Sequence, residues 1–146
     1  MPDLVIDASV AVKWVSPDEV AADRAAWMLA DYQRGTVSFL APSLWGYEVA
    51  IGVNRAVARG DLVEAEGREV IEAILSLDTS LEPLPPPKRA YTLARKYRRS
   101  VYDSLYLDLA ERRRCEFWTG DRKLYNAVKM QLPFVRWIGD YAKQPV

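Results

Sequence analysis

Three aliphatic residues, Leu4-Val5-Ile6, run straight into a carboxylate, Asp7, after which the chain turns polar and helical through Ala8-Ser9. An aliphatic run this short reads as a strand buried on both faces. Further short apolar runs recur at residues 37–41, 81–84, 116–119 and 134–138, which we read as strands. Between them lie segments of helical period at residues 19–33, 44–59, 62–77, 88–98, 101–114 and 122–130, with a short helical turn at 10–15. Strands that alternate with helices predict a three-layer α/β/α sandwich around a mostly parallel sheet of four to five strands. Asp7 then sits at the carboxyl edge of that sheet, where open α/β sheets bind ligands. A carboxylate there either caps the helix that follows or binds something positive.

The chemistry open to this chain is narrowed by what it lacks. Its 146 residues contain no histidine and a single cysteine, Cys115. The commonest general base, the usual zinc ligand and every histidine triad are therefore absent, as are an intrachain disulfide and a cysteine metal cluster. Catalysis has to run on carboxylates, lysines, hydroxyls or a metal ion. Half of the residues are hydrophobic, which predicts one globular domain over residues 1–141 with a tail at 142–146. No apolar run approaches the ~20 residues of a membrane span. Met1-Pro2-Asp3 lacks a basic leader, so the expected location is the cytoplasm.

The formal net charge is zero, but the charges are segregated. Glu64, Glu66, Glu69, Glu72, Asp78 and Glu82 face only Arg68 in their stretch. Lys88, Arg89, Arg95, Lys96, Arg98 and Arg99 follow with no acid among them, and then Arg112, Arg113 and Arg114. These segments are either solvated helix faces or a surface that holds phosphates.

Four acids stand in unusual settings. Asp121 follows the run Phe117-Trp118-Thr119-Gly120 at the head of a helix, where it can serve as N-cap. If its strand neighbours that of Asp7, both carboxylates leave the sheet at the same edge. Glu48 is the one charge in the stretch 44–53, so it is partly buried and needs a cation, an arginine partner or a shared proton. Asp103 follows Ser100 by three residues and fits a variant capping box. Asp108 lies about 140° around the same helix and reads as a surface or salt-bridge residue. Ser43 and Asp61 read as N-caps of their helices. Four carboxylates with no nitrogen or sulfur ligand among them form the donor set that hard cations such as Mg²⁺ or Mn²⁺ prefer. Carboxylates brought together repel unless protonated or bridged, and an ion that bridges them can activate water for attack on phosphorus.

The motifs Val5-Ile6-Asp7-Ala8-Ser9-Val10-Ala11-Val12-Lys13-Trp14, the lone Glu48, Val101-Tyr102-Asp103-Ser104-Leu105-Tyr106-Leu107 and Trp118-Thr119-Gly120-Asp121 occur in the order of a PIN domain. Over essentially its whole length the chain resembles the VapC-type toxins of toxin–antitoxin pairs. That resemblance implies a Mg²⁺- or Mn²⁺-dependent ribonuclease in a type II pair. Asp7, Glu48, Asp103 and Asp121 match the family's metal-binding and catalytic acids, and Ser9 and Thr119 its supporting polar positions. The role of Asp121 is the most variable in the family.

Arg95, Lys96, Arg98, Arg99, Arg112 and Arg113 are the residues we expect to meet the RNA backbone. The expected partners are RNA, a cognate antitoxin and a second copy of the chain, with no membrane. Trp14, Trp27, Tyr32, Trp45 and Tyr47 exceed what one small core easily hides, which also favours a homodimer. Two other readings stand beside this one. A non-catalytic module would use the acids to bind RNA or a basic protein segment. A small-molecule phosphohydrolase of the haloacid dehalogenase type would want a second Asp two residues after Asp7, where this chain has Ser9.

Overall fold

A computed structural model describes residues 1–145. Five strands form one sheet: β1 (Asp3–Ile6), β2 (Ser38–Pro42), β3 (Ser80–Glu82), β4 (Glu116–Thr119) and β5 (Val135–Trp137). Their order is β3-β2-β1-β4-β5, and every neighbouring pair is parallel. Helices cover both faces, giving the three-layer α/β/α sandwich that the alternation of elements predicts. The sheet is wholly parallel. Its three inner strands, β1, β2 and β4, are largely buried on both faces and carry aliphatic and aromatic residues, whereas the edge strand β3 is exposed.

The order of the strands locates the site. After β1 the chain builds outward to β2 and β3, then returns to the other flank of β1 for β4 and β5. The reversal therefore falls between β1 and β4, and a crevice opens beyond the carboxyl ends of strands at such a point. Val5 pairs with Phe117 and Ile6 with Trp118, which brings Asp7 level with Thr119. Val5, Ile6, Phe39 and Phe117 anchor the core beneath this seam.

Seven helices surround the sheet among the described residues: α1 (Ala8–Val15), α2 (Ala22–Gln33), α3 (Trp45–Ala58), α4 (Glu64–Leu75), α5 (Lys88–Tyr97), α6 (Val101–Arg113) and α7 (Arg122–Val128). None is long and apolar enough to cross a membrane. The segment from Ser104 to Ala110 of α6 is buried at every position. This helix packs on α5 and crosses β2, β1 and β4. Asp108, only 2% exposed, is a buried ion-pair residue rather than a surface one. It accepts from Arg112 at 2.9 Å and lies 3.9 Å from Arg89.

Several local expectations are corrected. The second helix begins at Ala22 rather than residue 19, because Ala21 takes a left-handed conformation at its head (φ 64°). Ser43 is not an N-cap: α3 starts one residue later, behind Leu44, while the Ser43 amide donates to the Glu82 carbonyl at 2.8 Å. Asp61 does not cap α4 either. It pairs with Arg59 at 2.9 Å, and the helix opens at Glu64 with Glu64 and Glu66 facing its positive end. Of the five aromatics that favour a dimer, only Tyr47 is exposed (81%), whereas Trp45 is fully buried and Trp14, Trp27 and Tyr32 lie half-buried against the core. One core hides more aromatic surface than the sequence led us to expect. Trp14 and Tyr32 both stack on Phe39.

Beyond the last strand, a 3-10 turn at Ile138–Asp140 leads into a C-terminal segment pinned by one buried acid. Asp31 of α2 has no exposed surface. It accepts from the Tyr141 hydroxyl at 2.6 Å and the Gln144 amide at 2.9 Å, and it pairs with Arg34. Burial pushes the Asp31 carboxyl up, but those donors and the Arg34 charge outweigh it and hold the group below its ordinary value. Its stabilising effect is thus present above the usual carboxylate range and fades as pH falls through the folded value. Asp31→Ala strands the Tyr141 hydroxyl and should cost about 2–4 kcal/mol in urea unfolding at pH 7. The difference from wild type should shrink below about pH 4.

Candidate active site

The Asp7 side chain answers the question that its position raises. It occupies the N-cap position of α1, yet its carboxylate caps nothing. It is 9% exposed and held by two hydroxyls instead. Ser9 Oγ donates to Oδ1, and Thr119 Oγ1 donates to Oδ2 at 2.6 Å. Each hydroxyl is itself fixed from behind. Ser9 Oγ accepts from the Gly120 amide at 2.7 Å, and Thr119 Oγ1 accepts from the Asp121 amide at 3.1 Å. Residues of α1 and of the turn after β4 thereby close around one carboxylate. Gly120 permits the approach, since a Cβ there would lie 2.5 Å from the Lys13 Cε and 2.9 Å from the Ser9 carbonyl oxygen.

Three more acids face Asp7 across a cleft of about 190 Å³, lined by Asp7, Ser9, Glu48, Asp103, Tyr106 and Asp121 among others. Glu48 comes from the first turn of α3, and no cation pairs with it among the described residues, which removes the simple arginine-bridge reading. Asp103 lies in the first turn of α6, whose N-cap Ser100 accepts from the Asp103 amide at 3.0 Å. Asp121 does cap α7, accepting from the Leu124 amide at 3.1 Å, and lines the cleft as well. Capping and site-building are thus compatible at one residue: the cap fixes the carboxylate that the cleft presents.

Electrostatics record how close these groups are. Burial first, then the charges of Asp103 and Asp121, push the Asp7 carboxyl up to about 6, against the opposing pull of its two hydroxyl partners. Burial and Asp103 raise Glu48, while Arg55 pulls it back. Burial and Asp121 raise Asp103, and Arg99, 3.7 Å away, lowers it. Like charges in a partly desolvated cleft make such a site costly unless protons or cations neutralise it. As placed, no three acidic side chains among the described residues converge tightly enough to hold an ion by themselves. Mutual repulsion favours that splay. Glu48 and Asp103 are only half-buried and have room to swing inward, whereas Asp7 is already clamped. The all-oxygen donor set fits a hard divalent cation.

Cations reach the rim from places the sequence did not single out. Arg55 and Arg59 of the α3 C-terminal region line the cleft together with Glu19. Glu19 lies 3.5 Å from the buried Lys13 ammonium and 3.8 Å from Arg59. The helical period offers the missed signal: Arg55 and Arg59 follow Glu48 at seven and eleven residues, on the same side of α3. Of the expected backbone contacts, Arg95, Arg98 and Arg99 line a groove beside Ser100 and Val101, and Arg99 joins it to the acidic cleft through Asp103. Lys96 lies over the Tyr97 ring. Arg112 and Arg113 sit at the far end of α6, nine and ten residues or about 14–15 Å along its axis from Asp103, in ion pairs with Asp108 and Glu82.

This arrangement, an acidic crevice at the reversal of a five-stranded parallel sheet, matches a known family. The model of the PIN domain matches residues 4–129. The chain belongs to the PIN-domain family. PIN domains are generally nucleases that use divalent metal ions, so the chain has a nuclease-type fold. Its fold is similar to that in the crystal structure of PAE2754 from Pyrobaculum aerophilum. That likeness has a TM-score of 0.66 at 21% identity and covers 94% of this chain and 91% of the other. No curated protein matches the sequence.

The raised Asp7 carboxyl makes a prediction about stability. Unfolded, an aspartic acid titrates near 3.9; folded, Asp7 titrates near 6. Between those values the folded state binds the extra proton, so stability falls as pH climbs from about 4 to about 6. Asp7→Asn removes that loss, and the Ser9 and Thr119 hydroxyls can turn to serve the amide. In chelator-treated protein the variant should be about 2–3 kcal/mol more stable than wild type at pH 7.5 and nearly equal to it near pH 4 by denaturant titration.

Proposed function

We propose that the chain is a Mg²⁺- or Mn²⁺-dependent endoribonuclease, the toxin of a type II toxin–antitoxin pair. The observation that carries the nuclease reading is the meeting of Asp7, Glu48, Asp103 and Asp121 in one cleft at the reversal of the sheet, with Asp7 clamped by two hydroxyls. The toxin assignment rests on the VapC-like order and wording of the four motifs.

Asp7, Asp103, Glu48 and Asp121 would hold the divalent ion. Bound there, it would lower the pKa of a water and stabilise charge on the leaving oxygen of a phosphodiester. Asp7 supplies the fixed ligand, because Ser9 and Thr119 leave its carboxylate little freedom to rotate. Glu48 has no ion-pair partner among the described residues and a raised affinity for protons, which suits its carboxylate to accept the proton of the attacking water. Arg55 and Arg59 at one rim and Arg99 at the other draw the phosphate backbone toward carboxylates that alone would repel it. Arg95 and Arg98 extend that basic surface along the α5–α6 junction, Lys96 lies over the Tyr97 ring beside them, and Arg112 and Arg113 would meet only RNA that runs past the far end of α6.

The same cleft suits control by a partner. An antitoxin that presents an arginine would pair with the acids and exclude the phosphate. A homodimer remains part of the proposal. Its support is now the apolar surface around Tyr47, Leu75 and Leu81 rather than a broad exposed aromatic set.

Asp7→Asn and Asp103→Asn should each lower Mn²⁺-dependent cleavage of RNA by at least about 100-fold, on the scale of losing an essential ligand or its support, while circular dichroism stays that of wild type. Undiminished cleavage by both variants would refute the ion-dependent mechanism.

A further inference from the structure

Tyr106 is a core residue with an unexplained hydroxyl. Its ring stacks on Phe117 at 5.7 Å and 18°, inside the layer where α6 meets the sheet. The residue is 2% exposed, and its phenol oxygen is buried with no hydrogen-bond partner among the described residues. Leaving such a hydroxyl unpaired is costly, and a phenylalanine would stack equally well without that cost. The hydroxyl also has a particular address. Tyr106 lines the acidic cleft, one helical turn after Asp103.

The other donors of the cleft are committed or charged. Ser9 and Thr119 give their protons to Asp7. Arg55, Arg59 and Arg99 stand at the rim as cations. Among the described residues lining the cleft, Tyr106 alone brings a neutral, uncommitted O–H into the midst of the carboxylates. Burial and the charges of Asp7, Glu48 and Asp103 raise its affinity for its proton, so it stays a donor at any working pH.

We propose that Tyr106 is a positioning residue of the acidic cleft, whose O–H donates a hydrogen bond to a water of the bound divalent ion's hydration. The inference rests on the ion-dependent reading above and gives it a member that touches no ion directly. Hard cations such as Mg²⁺ keep several waters, and those waters need partners whose removal weakens the site. The phenol is placed on a rigid helix and locked by ring stacking, so its single proton holds one water in one place.

Tyr106→Phe tests this directly, because it deletes the hydroxyl and keeps the ring. Mn²⁺ binding is measured by isothermal titration calorimetry on chelator-stripped protein, alongside metal-free thermal unfolding and RNA cleavage. We expect Mn²⁺ to bind about 10-fold more weakly and cleavage to fall about 10–100-fold, with the metal-free Tm equal to or above that of wild type. Wild-type Mn²⁺ affinity and cleavage in the variant would overturn the proposal. A lower metal-free Tm with unchanged Mn²⁺ affinity would also overturn it, since that is the signature of a purely structural hydroxyl. If the wild-type protein itself bound no Mn²⁺, the ion-dependent reading would fall first and this inference with it.

Discussion

Two hydroxyls hold one carboxylate at the seam of the sheet, and the site is built outward from that contact. Ser9 and Thr119 come from opposite sides of the break in strand order, yet both donate to Asp7. The parallel register of β1 with β4 makes the meeting possible by setting Asp7 level with Thr119. The backbone amides of Gly120 and Asp121 fix the hydroxyls in turn. A buried carboxylate without such donors would be neutral at physiological pH or would destabilise the fold. With them, its carboxyl is poised near 6, close enough to neutrality that a nearby cation readily takes the place of the proton.

The remaining acids extend the same conflict. Each arrives on a separate helix start: Glu48 on α3, Asp103 on α6, Asp121 on α7. Helix N-termini partly compensate negative charge, which helps explain how several carboxylates coexist in a cleft of this size. The compensation is incomplete, since Asp7, Glu48 and Asp103 all titrate above their ordinary values. Carboxylates concentrated at the ligand-binding edge with Arg55, Arg59 and Arg99 close by are what the proposed use of a divalent cation and a phosphate calls for.

Much of this was legible in the chain because it is written locally. The run Leu4-Val5-Ile6 before Asp7 announces a buried strand that ends in an acid, and the alternation of elements gives the sheet and its layers. Glu48 stood out because its neighbours are apolar, and Asp103 and Asp121 because they open helices. What could not be read depends on tertiary neighbours. Arg55 and Arg59 look like any solvated helix end until α3 is docked against α1. Tyr106 looks like one more core aromatic, and only the packed structure leaves its hydroxyl alone among carboxylates. The sequence left Asp108 open between a surface and a salt-bridge role and could not say which of its aromatics the core hides, because burial is decided by what packs over a residue, not by its own flanks. Asp31 gave no local sign of the buried latch it forms with a segment 110 residues further on.

The central claim is that Asp7, Glu48, Asp103 and Asp121 form one divalent-ion site. The most direct measurement is a crystal structure of the protein grown with Mn²⁺, read by anomalous scattering at the manganese edge. The account predicts a peak in the cleft, coordinated by Asp7 with Asp103 or Glu48 drawn in toward it, while the Ser9 and Thr119 hydroxyls stay on Asp7. Full Mn²⁺ occupancy elsewhere on the molecule with this cleft free of anomalous signal, or an ion held without Asp7, would contradict it.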